Sequence, residues 1–368
     1  MNNGVMYMDR KIVRYGIIGV GGHGVNRHLV PLLKVSEAKL VAVADIDRAR
    51  CEDVASKYNT KCYTDYMEMI SKEDLDAVSI VTPTGLHAKI AIDVLKRGIH
   101  VLVDKPLGAN LDEVVNVVKT AKKMNRKLMV GYWSRFSPAL QYIKEVYETN
   151  LLGEPYYAYG YLIRRRGIPG KPTFIDEKLS GGKGALLDIG CYILDNLLTA
   201  TGFRKPLSVS GAVYTKFGNV PEEIKFNWGN WDPSKFKLDD FATGFIRFEG
   251  GLVISFEVAW AANVSHVGEV GYMKILGDKG GIEARGDEAM REVSFHSRTS
   301  NFLYDAKPII KTTDMAYEMI KSFVISIIED KEPPVTGYQS VVLHAIIDAV
   351  YESSVKGREV FIKIPEDI

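Results

Sequence analysis

Residues 13–45 read VRYGIIGVGGHGVNRHLVPLLKVSEAKLVAVAD. Val13, Tyr15, Ile17 and Ile18 form a first strand, and GVGGHG follows at once. Gly19, Gly21 and Gly24 are the motif glycines, permitting a tight turn, a close backbone approach to a pyrophosphate, and packing of helix on strand. The next helix offers free N–H groups and a positive dipole end to phosphates. A second strand over residues 40–44 delivers Asp45, 21 residues past Gly24, where an acid holds a ribose hydroxyl pair. Strand, glycines, helix, strand and acid in that order predict a dinucleotide site. A carboxylate there repels a 2′-phosphate, which favours NAD. Arg48 and Arg50 nearby leave NADP open.

The second decisive stretch is IHVLVDKPLG, residues 99–108. Its β-branched run (Ile99, Val101, Val103) reads as a buried strand that Pro106 ends. Asp104 and Lys105 stand at the edge where a parallel sheet presents its ligands. A lysine beside a bound cation sheds its proton more easily than a solvated one, which suits proton transfer with a hydroxyl.

Lys plus Arg number 47 against 46 Asp plus Glu, so no net field invites nucleic acid or an anionic membrane. No apolar run approaches a membrane span, and MNNGVMYMDRK lacks the apolar core of a secretion signal. Cys51, Cys62 and Cys191 show neither metal-ligand spacing nor an even count, and read as small apolar residues of a reducing, cytoplasmic compartment. No metal is expected.

At 368 residues the chain should divide in two. Up to residue 132 strands and helices alternate, with helices near 48–58, 86–97 and 111–124 and strands at 77–81 and 128–132. This pattern predicts a doubly wound parallel (Rossmann) sheet. Beyond Trp133 come a helix near 138–150, a strand-like run at 156–163, a helix near 189–201, and long runs at 207–217, 241–248 and 252–260. In the last, Leu252, Ile254, Phe256, Val258 and Trp260 share one parity, the mark of a half-buried antiparallel strand. Glu249-Gly250-Gly251 supplies its turn. Residues 133–368, with a final helix near 340–356, are therefore expected to form an α+β domain around a large, mostly antiparallel open sheet. That sheet should leave Val253 and Ala259 on a broad face suited to oligomerisation.

GGKGALLDIGCYILDNLL, residues 181–198, is the other chemically loaded passage. Asp188 and Tyr192, four apart, share a helix face, with Asp195 two turns on. Read plainly, Asp188 is an N-cap and Tyr192 a core residue.

Together GVGGHG, VAVADID (41–47), VTPTGLH (81–87), VDKPLG, SRFSP (134–138) and DIGCYILD (188–195) resemble the glucose–fructose oxidoreductase / inositol dehydrogenase (Gfo/Idh/MocA) family over nearly the whole chain. The resemblance implies oxidation of a secondary alcohol of a sugar or cyclitol, or the reverse, with NAD or NADP. It places catalysis on Lys105, Asp188 and Tyr192. Cofactor contacts fall on Gly19, Gly21, Gly22, His23, Gly24, Asp45, Thr82, Pro83, Thr84, His87, Asp104 and Lys105. Substrate contacts fall on Arg135 with the catalytic three, and members pair through the second sheet, here as a homodimer or homotetramer. Asp104 replaces the family's glutamate, Thr84 an asparagine and Tyr192 the more frequent histidine. Whether Lys105 or Tyr192 carries the proton stays open at this level.

Arg164-Arg165-Arg166 reads as a solvated loop or a lid, and Trp228 and Trp231 sit in an insertion, 219–240, that suits sugar stacking or a subunit contact. A dinucleotide- or sugar-sensing regulator of the same fold is the rival reading. So is an enzyme that shuttles hydride between two sugars on a retained cofactor. A regulator has no need of Lys105, Asp188 and Tyr192 together.

Overall fold

The parallel order expected from the N-terminal pattern is present. In a computed structural model, residues 12–265, 269–366 and 368 are described. The stretch 1–11, whose composition argued against a secretion signal, lies outside them. Six strands, β1 (Val13–Ile18), β2 (Ala38–Ala44), β3 (Lys61–Tyr63), β4 (Ala77–Ile80), β5 (His100–Asp104) and β6 (Leu128–Gly131), form one parallel sheet ordered β3-β2-β1-β4-β5-β6. Helices cover both faces, so the inner strands are apolar throughout: Val101, Leu102 and Val103 of β5 are fully buried. Strand order reverses between β1 and β4, which opens the crevice where such sheets bind ligands.

The second sheet is built from β7 (Pro155–Arg164), β8 (Pro206–Tyr214), β9 (Phe241–Phe248), β10 (Val253–Ala259), β11 (Glu269–Gly277), β12 (Gly280–Gly286), β13 (Glu292–Thr299), β14 (Phe302–Ala306) and β15 (Val360–Phe361). Its nine strands run β14-β13-β12-β11-β7-β10-β9-β8-β15, antiparallel except for β7 beside β10. In β10, Ile254, Phe256 and Val258 are buried beneath the helices while Ser255 and Glu257 face outward. The period-2 reading of this strand holds. Ala259 does not follow it: expected on the open face, it is fully buried. The strand ends there beneath the segment whose Arg166 bridges Ala261. The open face instead carries Tyr159, Tyr161 and Tyr272, the last two stacked with centroids 5.5 Å apart.

Strands β11 to β14 have no counterpart among the sequence expectations, and neither does the helix Met315–Ile328. That helix packs on the parallel sheet, with Phe323 edge-on to Tyr15 at 6.3 Å. The final helix, Gly337–Lys356, starts three residues before the expected position. Thr336 caps it with a box closed by Gln339.

The cysteine reading needs correction. Cys51 and Cys62 form a disulfide, leaving Cys191 as the free, buried thiol. An odd count never precluded one pair. Cys51 in the helix Arg48–Tyr58 and Cys62 on β3 lie on adjoining elements with Cα atoms 5.7 Å apart, inside the bridging range.

Candidate active site

The glycine loop leaves β1 at the switch point. Gly19 has φ +91°, and a Cβ there would meet the Val81 carbonyl oxygen at 2.4 Å. A Cβ on Gly24 would strike the Gly19 carbonyl oxygen at 2.1 Å. Both positions therefore require glycine. At Gly21 and Gly22 a Cβ would project into open space, which leaves the backbone accessible from the crevice. Asp45 ends β2 and ties itself across to this loop, accepting from the Val20 amide at 3.0 Å and the Asp47 amide at 3.0 Å. Arg50 reaches the Asp45 carboxylate at 3.2 Å and also pairs with Asp47 at 2.8 Å. Arg48 points away to an exposed pair with Glu52.

From β4, Thr82 keeps a buried hydroxyl without a hydrogen-bond partner. A dinucleotide fits this setting: two glycines forced by backbone contact, two open ones, a carboxylate at the end of β2, and a buried hydroxyl lacking a partner. His87 is buried, with its ring nitrogens 2.7 Å from the Pro106 and Thr82 carbonyl oxygens. It is a strut between the loops after β4 and β5, and Pro83 lies between the strut's end and Thr84.

Lys105 follows β5 and meets Asp188, 83 residues away. Its ammonium donates to the Asp188 backbone carbonyl at 2.7 Å and to Oδ1 at 3.0 Å. Asp188 is no N-cap: it lies in a wide helical turn, Leu186–Gly190, continuous with the helix Cys191–Ala200. Wide turns of this kind recur at functional sites. Buried Asp239 fixes the turn's start by accepting from the Gly184 and Leu186 amides. The other Asp188 oxygen accepts from the indole N–H of Trp260 at 2.9 Å, just past the end of β10. Tyr192 lies below, with the Lys105 ammonium 4.6 Å from its ring centroid. Its oxygen accepts from the Trp133 indole at 3.0 Å.

Charge follows from this packing. Burial alone would lower the Lys105 pKa, but the Asp188 carboxylate, with help from Tyr192, holds it well above the usual lysine range. Burial opposes ionisation of Asp188 too, yet Lys105 and Arg164 keep its carboxyl below the ordinary value. Burial pushes the Tyr192 phenol well up. At neutral pH the cluster holds an ammonium, a carboxylate and a neutral phenol. Two of the three ammonium protons are committed to Asp188, leaving the third free. An indole is a donor only, so the phenol oxygen accepts from Trp133 and its own proton is free as well. Thr84, Phe174, Lys183, Asp188 and Trp260 line one small cleft, which sets the turn after β4 beside the charged pair.

Not every sequence candidate enters this cleft. Arg135, offered as a substrate contact, is buried: Nε donates to Asp195 at 2.7 Å, Nη2 to the same carboxylate, and Nη1 to Gln339 Oε1 at 2.6 Å. Three of its five N–H donors tie it to Asp195 of the helix Cys191–Ala200 and to Gln339 of the final helix. His23 and Asp104 face one another at 3.3 Å beside the glycine loop, with His28 behind them. Arg164 stacks over Trp228 at 4.7 Å and Arg166 pairs with Glu223, so the 219–240 insertion packs against the arginine run. Trp231 is buried instead and donates to the Gly218 carbonyl. Sequence reasoning missed Trp133, Trp260 and His28. The one available signal was that a buried indole N–H requires an acceptor.

Comparison with known proteins places these features in context. Residues 13–132 match the family model described as oxidoreductase family, NAD-binding Rossmann fold, and residues 140–283 match the GFO/IDH/MocA C-terminal domain. A D-glucoside 3-dehydrogenase of Escherichia coli K12 is 29% identical over 275 residues, 74% of this chain and 77% of that protein. A D-xylose 1-dehydrogenase (NADP(+)) of Haloferax volcanii is 26% identical over 352 residues, 94% of this chain and 98% of the relative. Among solved structures, levoglucosan dehydrogenase in complex with NADH superposes with a TM-score of 0.84 at 20% identity, covering 96% of this chain and all of the other.

Replacing Arg135 separates a structural from a substrate role. Arg135→Met leaves the Asp195 carboxylate buried without its partner, so unfolding free energy in urea should fall by about 3–5 kcal/mol. A loss under about 1 kcal/mol would show that the pair is not the tie described here.

Proposed function

Because the chain belongs to the Gfo/Idh/MocA oxidoreductase family through both of its matched segments, we propose that it transfers a hydride between a nicotinamide and a secondary alcohol or ketone of a sugar or cyclitol. The observation that carries this reading is the buried Lys105–Asp188 pair with Tyr192 beneath it, Asp188 lining a small cleft together with Thr84. The proposed division of labour gives residues 1–132 the dinucleotide and 133–368 the substrate. Gly19, Gly21, Gly22, His23 and Gly24 would cradle the diphosphate. Asp45 would hold the ribose, and Thr82, Pro83, Thr84, His87 and Asp104 would shape the inner wall. When bound, the nicotinamide gives or takes the hydride.

The protein's own residues manage the proton and the geometry. In the reductive direction Lys105 donates its uncommitted proton to the ketone oxygen, while the Tyr192 hydroxyl donates a hydrogen bond to the same group. Asp188 fixes the ammonium through two acceptors and is itself fixed by Trp260, so the proton donor cannot swing away. In the oxidative direction Lys105 takes the hydroxyl proton, helped by the nearby nicotinamide cation and opposed by Asp188. The sign follows from the raised pKa of Lys105. Its donor form persists through neutral pH, so the reductive rate should be flat there and the oxidative rate should climb toward alkaline pH.

Lys105→Met keeps the apolar stem and removes the proton carrier. On a panel of sugars and cyclitols, NAD(P)H formation should fall by about 10²–10⁴-fold, the usual scale of general acid–base catalysis, with NAD affinity nearly unchanged. A variant that kept more than about a third of the original rate would contradict this assignment. A sugar that altered NAD binding without any turnover would favour a sensing role.

Asp45 and Asp47 together outweigh Arg50, so the pocket at the ribose is net negative. NAD should bind about tenfold or more tightly than NADP in fluorescence titrations. An NADP preference would mean that Arg50 swings to the phosphate.

We also propose that a second copy of the chain covers the open face carrying Tyr159, Tyr161 and Tyr272, giving a homodimer or homotetramer. Light scattering at micromolar concentration should report more than one chain, and Tyr161→Asp with Tyr272→Asp should shift the population to monomer. A monomeric parent protein would exclude it.

A further inference from the structure

One cluster lies outside the proton-transfer cleft. His23 comes from the glycine loop, His28 from the helical turn that follows it, and Asp104 from the end of β5. His23 Nε2 is 3.3 Å from Asp104 Oδ2, and His28 Nε2 is 3.6 Å from Asp104 Oδ1. All three donor atoms lie within 4.8 Å of one another. These separations are long for charge-assisted hydrogen bonds, which favour about 2.7–2.9 Å. The first, between His23 and one carboxylate oxygen, matches the spacing set by a tetrahedral metal, and His28 faces the other oxygen at slightly longer range. Bonds of about 2.0–2.1 Å around zinc put neighbouring ligand atoms about 3.3–3.4 Å apart.

Two further facts point the same way. His28 is fully buried, Asp104 is 8% exposed, and both His28 Nε2 and Asp104 Oδ1 lack a hydrogen bond. An ion pair between His23 and Asp104 alone would leave both atoms unsatisfied. The other ring nitrogen of His28 is engaged by Ser79 Oγ at 3.1 Å, and Ser79 in turn by the Tyr15 hydroxyl at 2.8 Å. A histidine ligand is typically oriented in this way, its far nitrogen held by an outer partner so that Nε2 faces the ion.

We propose that His23, His28 and Asp104 form a binding site for one divalent transition-metal ion of the zinc class, with the fourth position open to solvent on the side of half-exposed His23. Two imidazoles and a carboxylate are a donor set that suits such ions and not calcium or magnesium, which take oxygen ligands. Sequence spacing could not reveal the set, because the third ligand lies 76 residues beyond His28, at the end of β5.

The test is equilibrium dialysis of the untagged full chain, first stripped with chelator, against buffered Zn²⁺, with bound metal counted by elemental analysis. The parent protein should hold one ion per chain. His23→Ala, at a half-exposed position, should lose it while far-ultraviolet circular dichroism stays unchanged. Ser79→Ala keeps all three ligands but frees the His28 ring, and should weaken binding by about 10–100-fold. No stoichiometric zinc on the parent protein would overturn the proposal, and so would His23→Ala retaining an affinity within about twofold of it. Neither readout depends on hydride transfer, so the site and the proposed reaction stand or fall separately.

Discussion

The pair between Lys105 and Asp188 is the constraint on which the arrangement turns. Both side chains are removed from most of their water, and an isolated buried charge costs several kcal/mol even after relaxation. Each is tolerable only because the other is there with hydrogen bonds to spare. Lys105 ends a strand of the parallel sheet, whereas Asp188 sits in a helical turn that packs on the antiparallel one. The interaction therefore sets the register between the two sheets at the place where chemistry is proposed. Its supports are distributed: Trp260 holds one carboxylate oxygen from the end of β10, and Asp239 anchors the turn through two amides.

Asp104 and Lys105 show how a strand end serves two neighbourhoods. Successive side chains of an extended chain point to opposite sides. Asp104 turns toward His23 and His28 beside the glycine loop, and Lys105 turns toward Asp188 and Tyr192. One dipeptide thus charges the dinucleotide side and the opposite side of the cleft together. A one-residue slip of β5 would exchange the two roles and bury each charge against the wrong partners.

Much of this was legible because the signals are local. Continuous apolar runs bounded by Gly19 and Pro106 announce parallel strands, and the step from Gly24 to Asp45 is a fixed distance in such folds. Asp188 and Tyr192 could be paired by helical spacing alone. Strands β11 to β14 escaped notice because polar residues such as Lys274, Glu283 and Arg285 interrupt the apolar pattern, and β14 is exposed along almost its whole length. The helix Met315–Ile328 does carry a stripe, its buried Ala316, Met319, Ile320, Phe323, Val324 and Ile327 falling at helical spacing, so its signal was legible in the sequence. The surroundings of Arg135 were not legible for a different reason. Its position near the cleft edge could be inferred, but its partners Asp195 and Gln339 lie 60 and 204 residues away. The partner of Cys51 was missed likewise, because β3 is three residues long and gives no pattern to read.

The distribution of unsatisfied polar atoms completes the argument. A buried donor or acceptor without a partner costs about 1–3 kcal/mol, so folded chains carry few of them. Among the described residues seven side-chain atoms are in this state; Thr82 Oγ1, His28 Nε2 and Asp104 Oδ1 lie at the carboxyl edge of β1, β4 and β5, and the others belong to Thr60, Tyr132, Thr199 and Ser340. Around them other groups have partners: the neutral His87 ring donates to one of the two carbonyl oxygens it faces, and Asp45 accepts from two amides and an arginine. Three such atoms gathered at one sheet edge supply hydrogen-bonding capacity for a ligand. A ligand that partners these atoms would offset that desolvation cost.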